Sequence, residues 1–426
     1  MKGFMDYRRA GSGWEAGHRP TWAEVSLDAI RENARALRRL AEPAELMAVV
    51  KADGYGLGAV EAARAALEGG ATWLGVAALE EAVELRRAGF TCPILILGPS
   101  TPAQAEVIAR HDITAAVFEP ETAEALAAAA RRLGRPVHAH LKVDTGMGRI
   151  GVTPDDDGAA LASRLAALEG LVLDGVYTHY STSDEADKSF TRLQTGRFER
   201  FLELARRAGL SFRWRHAANS AALIDLPETR YDLVRVGISL YGYYPSDDVD
   251  RSRVALRPAL TWKTRLMYVK RVPAGTPISY GREHVTQAPA LVGTLPVGYA
   301  DGYRRCLGSG RGRVLVRGRS CPVLGRVNMD HIMVGLDEVP EARAGDEVVL
   351  MGPSGPDADP GVAGPAEAGP AVAGIPAEEL ARACGTIVYE MVSTVGRRVP
   401  RVFLERGRPV AVRSILGSAP VGGGFP

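Results

Sequence analysis

Between Met47 and Val236 the chain alternates short apolar runs with helical segments, and this rhythm limits its fold more than any other feature. The runs are Met47–Val50, Trp73–Val76, Ile94–Leu97, Ile113–Val117, Val137–Val143, Leu171–Tyr177, Phe212–Ala217 and Leu233–Val236. Ala-, Leu- and Arg-rich stretches such as Glu121–Leu133 and Phe190–Ala208 lie between them. Runs this short, bounded by helical patterns, read as buried strands. Eight such units predict a (β/α)₈ barrel. A doubly wound sheet usually has fewer strands and often a GxGxxG fingerprint, which is missing after the first run here.

The rest of the chain divides around that barrel. Residues 1–18 read as a flexible tail, and 19–256 as the barrel domain. Its first strand, about 21–27, is open to packing with the C-terminal domain instead. Asp28 suits the N-cap of a helix over Ala29–Leu40. The pattern changes near Pro258. Strands are expected over Thr261–Val272, Ala290–Leu295, Arg313–Val316, Ile332–Leu336, Glu347–Leu350, Arg401–Leu404 and Val410–Val412, in a β-rich domain spanning 257–414. A short helix is expected near Ala377–Ala383. Residues 353–376 are rich in Gly, Pro and Ala and read as a surface insertion, and 415–426 as a frayed tail.

Composition excludes several classes. The net charge of +2 gives no reason to expect a nucleic-acid partner. No apolar run approaches the ~18 residues of a membrane span, and the N-terminus lacks a signal-peptide core. Cys92, Cys306, Cys321 and Cys384 form no CxxC pair and have no histidine neighbours. That argues against a metal site and against a disulfide framework, and fits a reducing, cytoplasmic setting.

In a barrel, chemistry collects at the C-terminal ends of the strands. Lys51 ends the first run and is followed by Gly54, Tyr55, Gly56 and Gly58. Taken alone, this is an ordinary βα turn with a solvated lysine. Further strand ends carry polar groups too: Lys142 to Arg149 (KVDTGMGR), His179, His216 to Ser220 (HAANS), and Arg235 to Ile238 followed by Tyr241. Each has a bland reading. Arg149 could pair with Asp144, Asn219 and Ser220 could cap a helix, and a lone histidine is usually a bonded core residue. Their convergence on one barrel end favours a site. Ser220 with the N–H groups of Gly237 and Ile238 makes an anion cradle of the kind barrels place after strands seven and eight. A phosphate cradle facing a strand-end lysine is what pyridoxal 5′-phosphate needs.

The chain resembles the alanine racemase family from about Arg19 to Arg413. The motifs AVVKADGYGLG, LKVDTGMGRIG, THYST, HAANSAA, VRVGISLYG, ISYG, LPVGYADGY, GRVNMD and IVYE follow in the family's order. The resemblance implies a barrel, a C-terminal β domain and pyridoxal phosphate. It implies that Lys51 forms the Schiff base and is one catalytic base, with Tyr280 the other. Tyr55, Asn219, Ser220, Gly237, Ile238 and Tyr389 would bind the cofactor. Arg235 would face its ring nitrogen, and His179 would link Arg235 to Tyr280. Arg149 and the Met329 N–H would hold the substrate carboxylate, and Tyr299 and Asp330 would line the entryway. Lys142 matches a lysine that many members carry as a carbamate orienting Arg149. It also implies a head-to-tail homodimer with shared sites. Asn328 stands where some members have cysteine, a change expected to be neutral.

Two bases on opposite faces of an amino acid can invert its Cα. A tyrosine in that role needs positive charge nearby, which Arg149 and Arg235 offer. An arginine at the ring nitrogen can only donate. The ring then stays a weaker electron sink, which suits racemisation over transamination. The expected reaction is L-alanine to D-alanine, feeding peptidoglycan. The alternatives are a related racemase of broader range, such as one for serine, a non-catalytic cofactor-binding barrel, and a decarboxylase. The β domain with Tyr280 weighs against the second. Arg235 and Asn328 weigh against the third, which places an acid at the ring nitrogen and a cysteine at the dimer interface.

Overall fold

The computed structural model describes residues 15, 18–353 and 374–421. The chain forms two compact units, residues 30–256 and residues 1–29 with 257–426.

The first unit is a parallel barrel. Its strands are β2 (Glu45–Val49), β3 (Trp73–Val76), β4 (Ile94–Ile96), β5 (Thr114–Val117), β6 (Val137–Lys142), β7 (Leu171–Tyr177), β8 (Trp214–His216) and β9 (Leu233–Val236). They pair in the order β8-β7-β6-β5-β4-β3-β2-β9. The ring is completed between β8 and β9 by separate backbone bonds. Asp232 N–H donates to Arg215 C=O and Arg235 N–H to Ala218 C=O, each at 3.0 Å. Inside, Met47, Trp73, Leu95 and Leu233 form a buried cluster. Gly75 is closely packed there: a Cβ would stand 2.8 Å from the Met47 sulfur, which would have to move. The helices cover the outside as their patterns demand. Pro120–Leu133 starts with its proline in the first turn, buries Ala123, Leu126, Ala127 and Ala130, and ends at left-handed Gly134.

The second unit is built on one sheet. Strand β1 (Thr21–Ser26) lies here, antiparallel to β10 (Leu260–Arg265) and parallel to β20 (Arg401–Glu405). Several readings of the sequence need correction. Thr261–Val272 is two strands, β10 and β11 (Tyr268–Val272), because Leu266 and Met267 break the run and the halves pair with different partners, β18 (Glu347–Pro353) and β14 (Ala290–Leu295). Part of the expected C-terminal tail is ordered: β22 (Gly417–Pro420) pairs with β21 (Arg408–Ser414), whose free edge would otherwise be exposed. Cys306 and Cys384 form a disulfide across 78 residues of sequence, which spacing could not reveal because packing alone brings them together. The remaining strands are β12 (Pro277–Ile278), β13 (His284–Val285), β15 (Arg313–Val316), β16 (Arg319–Leu324), β17 (Ile332–Gly335) and β19 (Gly374–Ile375). Most of the 1–18 tail and of the 353–376 insertion lies outside the described residues.

The helix after β1 runs over Leu27–Ala41, two residues earlier than expected. Ser26 is its cap: the Ala29 N–H donates to Ser26 Oγ at 3.2 Å. Asp28 instead accepts the Arg406 N–H. Among the described residues no helix is long and apolar enough to cross a membrane, and no cluster of three acidic, histidine or cysteine side chains could hold a metal ion. Because Ser26 is buried and satisfies an orphan helix donor, Ser26→Ala should cost about 1 kcal/mol. The check is a urea titration, which should show a lower midpoint at an unchanged slope.

Candidate active site

Lys51 follows β2 directly, and the chain behind it turns through an unusual conformation. Ala52, Asp53, Gly54 and Tyr55 all have positive φ, between 52° and 62°. Only glycine adopts this region freely, so a left-handed run of mostly other residues is strained. Glu81 holds it. Its carboxylate accepts the Ala52 N–H at 2.6 Å with one oxygen and the Ala77 and Ala78 N–H groups at 2.8 and 3.2 Å with the other. Burial, and then the charge of Arg149, lower the proton affinity of Lys51, while Glu81 opposes them. Glu81 was missed in the sequence, because a glutamate in a helix's first turn looks like routine dipole compensation.

The turn delivers Tyr55 into the barrel mouth, where its ring lies 5.0 Å from that of Tyr241. Its hydroxyl faces Gly237: a Cβ on that glycine would sit 2.2 Å from the Tyr55 oxygen. Ser220 Oγ accepts the Gly237 N–H at 3.0 Å. Tyr55, Ser220 and Gly237 are thus brought together as expected, with Ile238 beginning the next turn. The small cradle, closed to any side chain at Gly237 and lined by a buried hydroxyl, fits a phosphate group. Asn219 takes the capping role. Its Oδ1 accepts the Ala222 N–H at 3.0 Å and the Ser183 hydroxyl at 2.9 Å.

Arg235 is 3% exposed. Its guanidinium donates to the carbonyls of Thr178 and Ala217, both at 2.8 Å, to His179 Nδ1 at 3.2 Å and to His216 Nδ1 at 2.9 Å. Every acceptor is neutral. Burial pushes its pKa down to about 10, which still leaves it charged at neutral pH. The donation fixes the histidines behind it. His216 must carry its proton on Nε2, and it donates that proton to His140 Nδ1 at 2.8 Å. His140 in turn points its Nε2–H towards Asp174, 3.8 Å away. His140 escaped the sequence reading because it lies within a strand, not at its end.

Lys142 is buried, donates to its neighbour's carbonyl, Val143 C=O, at 2.8 Å, and lies 5.5 Å from the Tyr177 ring centre. Burial brings its pKa down to about 7. Asp144 accepts the N–H groups of Gly146 and Gly148 at 2.9 and 3.1 Å, so it shapes the loop that ends at Arg149.

The β unit gathers the remaining expected residues. Tyr299 N–H donates to Asn328 C=O at 3.0 Å and Ala300 N–H to Met329 C=O at 3.1 Å, which sets the Tyr299 turn against Met329. Asp330 is bound by Arg398 at 2.6 Å, and Arg398 also reaches the fully buried Asp301 at 3.0 Å. Tyr280 is 71% exposed, Met329 52% and Tyr299 40%, an unusual concentration of large apolar surface on one unit. Tyr389 lies on the helix Val388–Ser393, which the sequence reading did not foresee.

A barrel with a strand-end lysine, an anion cradle and a buried arginine, joined in one chain to a β unit presenting a tyrosine, defines a cofactor-dependent barrel enzyme. The comparisons narrow this class. Residues 25–245 match the model of the alanine racemase N-terminal domain and residues 259–403 that of its C-terminal domain. The chain is 48% identical over 386 residues to an alanine racemase of Desulforamulus reducens, covering 90% of this chain and 99% of that one. It is 49% identical over 387 residues to one of Symbiobacterium thermophilum, covering 91% and 98%. Among solved structures it resembles alanine racemase of Clostridium difficile 630, with TM-score 0.84, 37% identity and coverage of 93% and 98%. The chain belongs to the alanine racemase family.

The buried histidines generate a pH prediction. Burial lowers the pKa of His140 to about 4, and holds His179 and His216 well below the usual histidine value. Unfolded, each would titrate near ~6.5. The native state therefore binds fewer protons, so stability is complete above about pH 6.5 and declines as pH falls towards about 4. His138, raised by its bond to Asp174, acts the other way but lies near the surface. Urea midpoints should drop between about pH 7 and about pH 5. A flat profile would show that these rings are not buried in the neutral form.

Proposed function

We propose that this chain is an alanine racemase that interconverts L- and D-alanine with pyridoxal 5′-phosphate, as a cytoplasmic head-to-tail homodimer supplying D-alanine for peptidoglycan. The observation that carries the reading is Arg235, a buried cation bonded only to neutral acceptors at the strand end beside the Ser220–Gly237 cradle. A donor that cannot give up its proton disfavours charge build-up on a ring nitrogen facing it, which favours racemisation.

Pyridoxal phosphate, held by Lys51 until the amine of the amino acid displaces that lysine, would acidify the substrate Cα–H. The protein does the rest. Tyr55, Ser220, Gly237, Ile238 and Tyr389 would hold the phosphate. Lys51, whose lowered proton affinity leaves more free amine, serves as the base on one face of the substrate. Tyr280 serves on the other. Arg149 and the Met329 N–H would orient the substrate carboxylate so that both bases meet the same Cα. A Lys142 amine titrating near about 7 is partly neutral at physiological pH, as carbamate formation requires. Large tyrosines, Tyr299 and Tyr389, favour a small substrate side chain. Chiral chromatography after incubation with a panel of L-amino acids tests the reading. D-alanine should dominate, and a faster yield of D-serine would overturn it.

The dimer reading is supported by Tyr280. A tyrosine base needs positive charge beside it, because burial alone disfavours the phenolate, and Tyr280 is 71% exposed on its own unit. Packing against Arg149 of the partner subunit would supply that charge. Lys51→Ala and Tyr280→Phe should each be nearly inactive. In a refolded equal mixture half the dimers are hybrids with one intact site of two, so about a quarter of wild-type activity should return. A mixture that stays inactive after subunit exchange is confirmed by mass spectrometry would place both bases in one chain.

A further inference from the structure

Tyr280 stands in a turn that should not hold its shape unaided. Strands β12 and β13 on either side are two residues each and pair only with one another. Ser279, immediately before Tyr280, has φ 66° and ψ −178°. Residues other than glycine hardly ever occupy that region, and its cost of about 1–3 kcal/mol is met only where the surroundings enforce it. Gly281 and Arg282 also have positive φ, 76° and 55°.

The enforcing element is the loop 325–330. Ser279 Oγ lies 2.7 Å from the Arg326 carbonyl oxygen and 2.9 Å from the Asn328 side-chain amide. A hydroxyl has one proton to give. It donates to the Arg326 carbonyl, and the Asn328 amide, turned so that its NH₂ faces Ser279, donates to the hydroxyl oxygen. The two bonds are then complementary, and the assignment of O and N in an amide rests on such networks. The loops also meet sterically. A Cβ on Gly325 would lie 2.6 Å from the Ile278 carbonyl oxygen and 2.9 Å from Ser279 Cβ. A Cβ on Gly281 would lie 2.9 Å from the Arg326 guanidinium carbon, and that guanidinium pairs with Glu283 just beyond the turn. Asn328 faces both ways: its carbonyl accepts the Tyr299 N–H, and the next residue is Met329.

We propose that Ser279 and Asn328 are positioning residues that clamp the Tyr280 turn to the loop carrying Met329, fixing the base relative to the donor for the substrate carboxylate. The proposal rests on the reading of Tyr280 as a base. It makes the Asn328 side chain a working part of the site, where the sequence suggested a neutral replacement. A residue with no amide at 328 leaves the Ser279 hydroxyl without its second partner and the strained turn held by one bond.

The test uses the holoenzyme dimer with Asn328→Ala, Ser279→Gly and Tyr280→Phe, assayed in both directions with Cα-deuterated alanine. Ser279→Gly suits the backbone conformation and so keeps the test available should Asn328→Ala fold poorly. Misplacing a catalytic group by a fraction of an ångström costs on the order of tenfold or more in rate. Both variants should lose about tenfold in kcat with bound-cofactor absorbance unchanged. The isotope effect should rise only in the direction in which Tyr280 removes the proton. Wild-type kcat, an isotope effect raised equally in both directions, or loss of cofactor would each overturn the positioning role. An active Tyr280→Phe would instead remove Tyr280 as a base, a separate failure.

Discussion

The barrel unit depends on keeping a guanidinium charged where none of its partners among the described residues is a carboxylate. Burying a charge normally demands a counter-ion, because desolvation removes several kcal/mol of hydration. Arg235 is buried and bonded to two carbonyls and two histidine nitrogens. Such acceptors satisfy its protons without neutralising its charge, so the positive field persists into the barrel mouth. That field helps to hold His179 and His216 neutral and adds to the burial that lowers Lys142. At Lys51 burial acts first and the charge of Arg149 adds to it. The buried arginine thus reinforces what burial begins at His179, His216 and Lys142.

Strain recurs at both proposed bases. Behind Lys51 the chain runs left-handed through four residues, held by Glu81. Before Tyr280 it takes a conformation suited to glycine, held by the loop 325–330. In both places polar groups of a neighbouring element supply bonds that the local backbone cannot: the Glu81 carboxylate behind Lys51, the Arg326 carbonyl and Asn328 amide before Tyr280. A turn so constrained has fewer states to sample than a relaxed one, so the side chain it carries is delivered to one position. The strain is affordable because the rest of each unit is regular.

The fold was legible wherever periodicity was local. The eight barrel strands fall where apolar runs predicted them, and the helix Pro120–Leu133 matches its pattern almost to the residue. The β unit was less so. The run over Thr261–Val272 is continuous in hydrophobicity but divided by pairing, and β16 carries Arg319, Ser320 and Pro322, which disguise it. Edge strand β22 lies in a weakly patterned tail and exists only because β21 offers it hydrogen bonds. Of the site, residues at strand ends were visible. His140 and Glu81 were not, since one lies inside a strand and the other mimics an ordinary helix start.

The sequence by itself determined the barrel, the strand-end lysine and the membership of a family, because each is encoded in contiguous residues or fixed spacings. Only the tertiary structure decided that β1 belongs to the β sheet, that Cys306 meets Cys384, that Arg235 has histidine and carbonyl partners, and that Asn328 reaches Ser279. These depend on which distant segments come into contact. Contact between residues tens or hundreds of positions apart is set by the summed burial of a whole unit, which no local pattern records.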